Sequence, residues 1–165
     1  MATTPSIASS FTQRYDVRHP FACAGMAFAG MTPDLTIAVC KAGGIGALGV
    51  GFTPPELLRE YIRAIRAATD APFNVNFITC FDNDAQVKVC AEERVPIVSW
   101  HWGHPSATNL ALLREAGVAY WEQVGSAEDA LRAVNAGAEL IVAQGYEAGG
   151  PVSYTHLTLP TIYSV

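Results

Sequence analysis

The chain has 165 residues, a formal net charge of −5 and 50% hydrophobic residues, a globular composition with enough apolar material for one core. Charged residues are only 15% and no Lys/Arg cluster appears, which argues against a nucleic-acid surface. No apolar run approaches the roughly 18 residues of a membrane span, and the start, Met-Ala-Thr-Thr-Pro-Ser-Ile-Ala-Ser-Ser, lacks signal-peptide regions. A cytoplasmic protein is expected, with neither nucleic acid nor membrane as a partner.

After a polar leader, Tyr15 to His19 lead into Pro20-Phe-Ala-Cys-Ala-Gly-Met26, read as strand one with a glycine exit. Thr32-Pro-Asp opens a helix as N-cap followed by Pro at the first position, and Gly43-Gly44 stops it. Ile45 to Val50 is a Gly-rich second strand. Thr53-Pro-Pro-Glu repeats the cap-and-proline start, and Leu57, Leu58, Ile62 and Ile65 recur at helical spacing. Pro72 to Ile78 reads as strand three, Asn83 to Glu93 as a short polar helix, and Val95 to Trp100 as strand four. Ser106 to Ala116 is a helix ending at Gly117, and Val118 to Val124 is strand five. Ser126-Ala-Glu-Asp opens the next helix, with Ala130, Leu131 and Val134 expected to face inward and Gly137 to close it. Glu139 to Gln144 is strand six.

Strands alternating with helices through short connections predict one α/β domain with a parallel sheet. About six such strands fit either a doubly wound open sheet or an unfinished (β/α)8 barrel, and periodicity does not separate the two. A complete barrel needs about 250 residues, so the barrel reading makes this chain the N-terminal part of one.

The stretch Ile141-Val-Ala-Gln-Gly-Tyr-Glu-Ala-Gly-Gly150 ends a buried strand in a glycine pair. There backbone N–H groups can approach an anion without side-chain obstruction. Val152 to Val165 has no patterning continuous with what precedes it, and resembles a translated sequencing adapter. It is expected to be a non-native tail, leaving residues 1–151 as the N-terminal part of a single domain. Histidine and proline codons share their first base, so a gene cut inside a histidine codon would read Pro151.

Five segments in order carry a family resemblance. His19-Pro-Phe-Ala-Cys-Ala-Gly-Met26, Lys41-Ala-Gly-Gly-Ile-Gly-Ala-Leu-Gly49, Ala71-Pro-Phe-Asn-Val-Asn76, Val98-Ser-Trp-His-Trp-Gly103 and the AQG-x-EAGG segment resemble the nitronate monooxygenases, formerly 2-nitropropane dioxygenases. Asn74 stands where the family commonly has glycine, and Pro151 where it has its catalytic histidine. The resemblance implies an FMN-dependent TIM barrel that oxidises an alkyl nitronate with dioxygen. A related alternative is the flavin-dependent enoyl-acyl carrier protein reductase, which shares the EAGGH-like segment. An answer of another class is a non-catalytic fragment, and the chain by itself is expected to be inactive.

Site residues are expected at the carboxyl ends of strands, where barrel enzymes place them. Gly25 and Met26 would lie beside the flavin ring, glycine allowing close backbone approach; an ordinary turn is the alternative. Asn76 offers a carboxamide that both donates and accepts, as do Gln123 and Gln144, and the resemblance carries flavin contact to Gln144. Gly149 and Gly150 would present N–H groups to the flavin or its phosphate. His101 is the candidate catalytic residue, as hydrogen-bond donor or base, against a structural role; His104, before Pro105, ranks below it.

Gly43, Gly44, Gly46 and Gly49 read as helix termination and tight packing, because a dinucleotide fingerprint should follow a strand and open a helix. Here the order is reversed, so NAD binding is rejected. Cys23, Cys40, Cys80 and Cys90 show no C-x-x-C spacing. Cys40 and Cys90 read as core residues, while Cys23 and Cys80 lie near strand ends. Neither a metal cluster nor a Ser/His/Asp spacing is visible.

Overall fold

The computed structural model describes residues 7–145 together with Ala148. The first element was not expected. Helix α1, Ser10–Tyr15, begins at a reciprocal cap: Ser9 Oγ accepts from the Thr12 N–H and Thr12 Oγ1 accepts from the Ser9 N–H. Six residues are too few for a periodic pattern, so this segment read as a leader.

The predicted first strand is also different. Only Ala22 bridges Ile45, through Cys23 N–H to Ile45 O at 2.8 Å and Ile45 N–H to Phe21 O at 2.9 Å. Pro20 has no N–H to extend this ladder. Beyond Cys23 the chain leaves the sheet and crosses the neighbouring strand, where a Cβ on Gly49 would lie 2.5 Å from the Met26 carbonyl oxygen. The sheet therefore has five strands instead of six: β1 Gly46–Gly49, β2 Phe73–Ile78, β3 Ile97–His101, β4 Ala119–Val124 and β5 Leu140–Ala143.

Helix α2 Pro33–Ala42 precedes β1, and between the strands run α3 Pro55–Ala68, α4 Asp84–Glu92, α5 Ala107–Ala116 and α6 Ala127–Asn135. Ser106 and Ser126 cap α5 and α6 by accepting the N–H of Asn109 and Asp129. Gly43 and Gly117 end α2 and α5 at φ 98° and 72°, a region glycine enters without a Cβ clash. Helix α3 starts at Pro55 behind Pro54, one residue later than the Thr53 cap expected.

The strands pair in parallel in the order β1-β2-β3-β4-β5. A doubly wound sheet reverses its order at a switch point. Uniform order with right-handed crossovers puts the helices that connect the strands on one face and curls the sheet toward a barrel. That decides between the two architectures left open by periodicity.

Alternation along the strands sorts the side chains. Phe73, Val75, Phe77, Val98, Trp100 and Tyr120 join Leu58, Ile62 and Ile65 of α3 in the core between sheet and helices. Each of these three α3 side chains is fully buried, worth about 1.5–3 kcal/mol apiece. Helix α4, expected to be polar, buries Val87, Val89, Cys90 and Ala91 in the same core.

The opposite, concave face is closed at its amino-terminal end by Ile45, Ile97 and Trp121 against Phe11, Tyr15 and Val17. Helix α1 is thus a plug, and the Trp121 Nε1–H donates to the Tyr15 hydroxyl at 2.8 Å.

One expectation for α6 is overturned. Leu131 and Val134 are 66% and 55% exposed, and Ala133 alone is buried in that helix. The helix rests its small side chain on β4 and β5, which leaves the two larger residues facing outward. No helix among the described residues is long and apolar enough to cross a membrane.

Candidate active site

The concave face carries a polar cluster above the aromatic floor. Asn76 of β2 lies level with Ser99 of β3, and Ser99 with Trp121 of β4. Asn74 Nδ2 and Asn76 Nδ2 both donate to Ser99 Oγ, each at 2.8 Å. Asn76 Nδ2 also approaches the Ser99 carbonyl at 3.5 Å. All three residues are buried, and Asn74 Oδ1 has no hydrogen-bond partner among the described residues. A buried unpaired acceptor costs about 1–3 kcal/mol, so this face is polar by construction and incompletely satisfied.

Gly25 rests on this cluster. A Cβ there would lie 2.1 Å from Asn76 Oδ1, so only glycine lets the backbone lie against the carboxamide. Met26 follows, its backbone over Gly49 and its side chain 39% exposed. Gly25, Met26 and Asn76 are therefore brought together.

Gln123 is half-buried near the end of β4, and Gln144 follows β5, buried, its N–H donating to Val124 O at 3.0 Å. Leu140, not Gln144, is in register with Trp121 and hence with Asn76. Both glutamines share the carboxyl-terminal half of the sheet with Asn76 but stand further along it. Gly149, Gly150 and Pro151 lie outside the described residues, as does the tail after Pro151.

His101 closes β3. Burial lowers its pKa, outweighing the Phe77 backbone hydrogen bond that raises it, so its imidazole is held neutral at neutral pH. Its ring meets Trp102 edge-on at 5.4 Å. Trp102 adopts φ 64° and Gly103 φ 129°, so the chain turns sharply at the mouth, at a cost of order 1 kcal/mol or more for the tryptophan. The Thr79 hydroxyl donates to the carbonyls of His101 and Trp102 in that turn.

Two features escaped sequence reading. Ser99 is the hub of the polar cluster, yet a lone serine in an apolar strand carries no signal without the register. The second is Glu122, fully buried on the helix side of β4, with Oε2 2.9 Å from His104 Nδ1. Burial pushes this carboxyl up, while the neighbouring His104 pulls it down. His104 is thus tied to a carboxylate outside the concave face.

Cys40 and Cys90 are buried and Cys80 is exposed. Cys23 is partly buried, and burial raises its thiol pKa. A Cβ on Gly46 would meet the Thr36 carbonyl oxygen at 2.3 Å, so that glycine serves close packing of α2 on the sheet.

A parallel sheet with its connecting helices on one face and uncharged carboxamides toward its carboxyl-terminal mouth is the arrangement of a partial (β/α) barrel. The family model described as nitronate monooxygenase matches residues 9–85 and 78–161. The nitronate monooxygenase of Paraburkholderia phytofirmans is 34% identical over 158 residues, covering 72% of this chain and 43% of that protein. Among solved structures, FabK from Thermotoga maritima superposes with TM-score 0.84 and 36% identity over 91% of this chain and 48% of its own. Nitroalkane oxidase from Streptomyces ansochromogenes gives TM-score 0.78 and 29% identity over 88% of this chain and 51% of its own. The chain belongs to the nitronate monooxygenase family, a family of flavoproteins. It spans about half the length of the curated relatives it matches.

Proposed function

We propose that residues 1–151 are the N-terminal part of a single FMN-binding barrel, and that the whole protein is an FMN-dependent monooxygenase oxidising alkyl nitronates with dioxygen. The observation that carries this reading is the contact of Gly25 with Asn76 over the buried Ser99 hub. A flat heteroaromatic ring with alternating acceptors and an N–H fits a mouth that offers carboxamides and close glycine backbone. The unpaired Asn74 oxygen and the glycine cradle support the fit.

FMN, when bound, supplies the two-electron acceptor for the nitronate and the centre that reacts with dioxygen. The chain's own part is binding and orientation. Asn76 meets the ring's polar edge, its Nδ2 held by Ser99 and its Oδ1 on the Gly25 side. Gln123 and Gln144 offer donors and acceptors nearer the mouth, and Met26 an apolar edge. His101, neutral and beside Trp102, can hold or pass a proton at its imidazole nitrogens. Gly149 and Gly150 complete the proposed set as N–H donors to the flavin or its phosphate.

Likeness to FabK supports a second reading, the flavin-dependent enoyl-acyl carrier protein reductase. A third is a non-catalytic truncated fragment. The test is FMN titration followed by two assays: oxygen uptake with an alkyl nitronate, and NAD(P)H oxidation with an enoyl thioester. Oxygen uptake alone supports the first reading, thioester-dependent NAD(P)H oxidation the second, and binding without turnover the third.

A further inference from the structure

Asn74, whose unpaired oxygen supports the fit, is the member of the polar cluster to which the reading above assigns no contact with the flavin. It occupies the concave face two residues before Asn76, about 7 Å away along the strand; Ser99 lies directly across from Asn76 on β3 and diagonal to Asn74, whose register partner is Ile97. Ser99 Oγ has two lone pairs and one proton. Asn74 Nδ2 and Asn76 Nδ2 each approach it at 2.8 Å, so its lone pairs are both engaged.

The Asn76 amide cannot be reversed without loss. Its Nδ2 also faces the Ser99 carbonyl at 3.5 Å, and a carbonyl only accepts. Reversal would set oxygen against oxygen there. The Asn74 amide is less constrained: turned over, its Oδ1 would take the Ser99 proton and its Nδ2 would become the unpaired atom. In either setting Asn74 holds the Ser99 hydroxyl from one side while Asn76 holds it from the other. With relative exposures of 4%, 6% and 9% for Asn74, Ser99 and Asn76, water has little access to replace either bond.

We propose that Asn74 is a positioning residue that acts through Ser99 to set the Asn76 carboxamide, with Nδ2 turned into the sheet and Oδ1 presented on the Gly25 side. A ligand arriving there meets an acceptor already oriented, and the chemistry it selects is an imide-type N–H, as on the pyrimidine edge of a flavin. The purpose rests on the flavin reading, while the positioning itself does not. Removing Asn74 frees one side of Ser99, whose hydroxyl can then rotate away and leave Asn76 with only its long carbonyl contact.

The experiment has a ligand-free arm and an FMN arm. In the 15N-labelled chain without ligand, the Asn76 side-chain NH2 pair should be well dispersed and slow to exchange. Asn74→Gly and Asn74→Ala should each speed that exchange by about tenfold or more, as should Ser99→Ala, while Ser99→Thr, which keeps the hydroxyl, should not. Two replacements at Asn74 guard against one that fails to fold, and circular dichroism identifies the folded one. FMN titrated by fluorescence should bind about 5–10-fold more weakly to the Asn74 variants. Unchanged Asn76 exchange in a folded Asn74 variant overturns the proposal. Faster exchange with wild-type chain that binds no FMN leaves the positioning standing and removes the flavin reading.

Discussion

Gly25 and Asn76 are locked together by the absence of one carbon: a methyl group at Gly25 would stand 2.1 Å from Asn76 Oδ1 and 2.2 Å from its Cγ. The loop leaving Ala22 and the middle of β2 therefore share one position in space. Gly25→Ala should expel the Asn76 side chain or lift the loop. FMN affinity should fall roughly 5–30-fold, the equivalent of losing about 1–2 kcal/mol of hydrogen bonding. Fluorescence titration measures it, and equal affinity in a folded variant would separate Gly25 from the site.

Two carboxyl groups, the buried Glu122 and the partly buried Glu93, should bend the pH dependence of stability in opposite directions. Burial raises the Glu122 pKa above its ordinary 4.5, so folding takes up a proton and stability declines as pH rises from that value through the raised one. Desolvation also works on Glu93, but hydrogen bonds from Arg59 and Arg63 outweigh it and hold the pKa below 4.5. That contribution is present above 4.5 and is lost as pH falls through the lowered value. Urea midpoints across acid to neutral pH should show Glu122→Gln removing the decline on the alkaline side and Glu93→Gln flattening the acid fall. Slopes of the same sign in both variants would contradict these environments.

His104→Ala should be costly at neutral pH. It strips the partner from a carboxyl group that is 1% exposed, and breaking a buried pair by removing one member costs about 3–5 kcal/mol. Combining it with Glu122→Gln should recover most of the loss, which denaturant melts of the three variants would measure.

How far the chain could be read before folding differs sharply between α3 and α6. Both show apolar residues at helical spacing. In α3 the stripe Leu58, Ile62, Ile65 is fully buried, whereas in α6 Leu131 and Val134 face outward. Periodicity identifies a stripe but not what lies beneath it, and among the described residues α6 rests chiefly on β4 and β5. Strand identities survived because apolar runs bounded by glycine and proline need little context. The run Pro20 to Met26 failed because its pairing depends on where the backbone goes after Cys23. Gly25 and Asn76 were singled out as glycine exit and strand-end carboxamide, and the structure brings them together with Asn76 two residues before the end of β2. Ser99 was not singled out, since its importance is a matter of register between β2 and β3.

The α6 correction can be checked by stability. Leu131→Ser and Val134→Ser should change unfolding free energy by no more than about 0.5 kcal/mol, as exposed substitutions do. Ile62→Ala, at a fully buried position, should cost about 2–5 kcal/mol. A large loss from either α6 variant would return those residues to the interior.

Thiol labelling should resolve the cysteines. Cys80 is exposed, while Cys90 is buried with its pKa driven far up by desolvation. Only the thiolate reacts. Under native conditions a disulfide reagent should therefore label Cys80 first and Cys23 more slowly, with Cys40 and Cys90 protected until the chain opens. Cys80→Ser should delete the fast phase, and a fast phase that persists would contradict the burial pattern.

The plug formed by α1 has a consequence for the order in which the molecule assembles. Each strand pairs with its immediate successor, so the sheet can grow one βα unit at a time as the chain emerges. The Tyr15 hydroxyl, by contrast, waits for an indole 106 residues away. At a synthesis rate of about 5–20 residues per second, that is a delay on the order of ten seconds. Until then the faces of Phe11 and Tyr15 lack their partner, and the helix made first finds its place only after β4 has emerged.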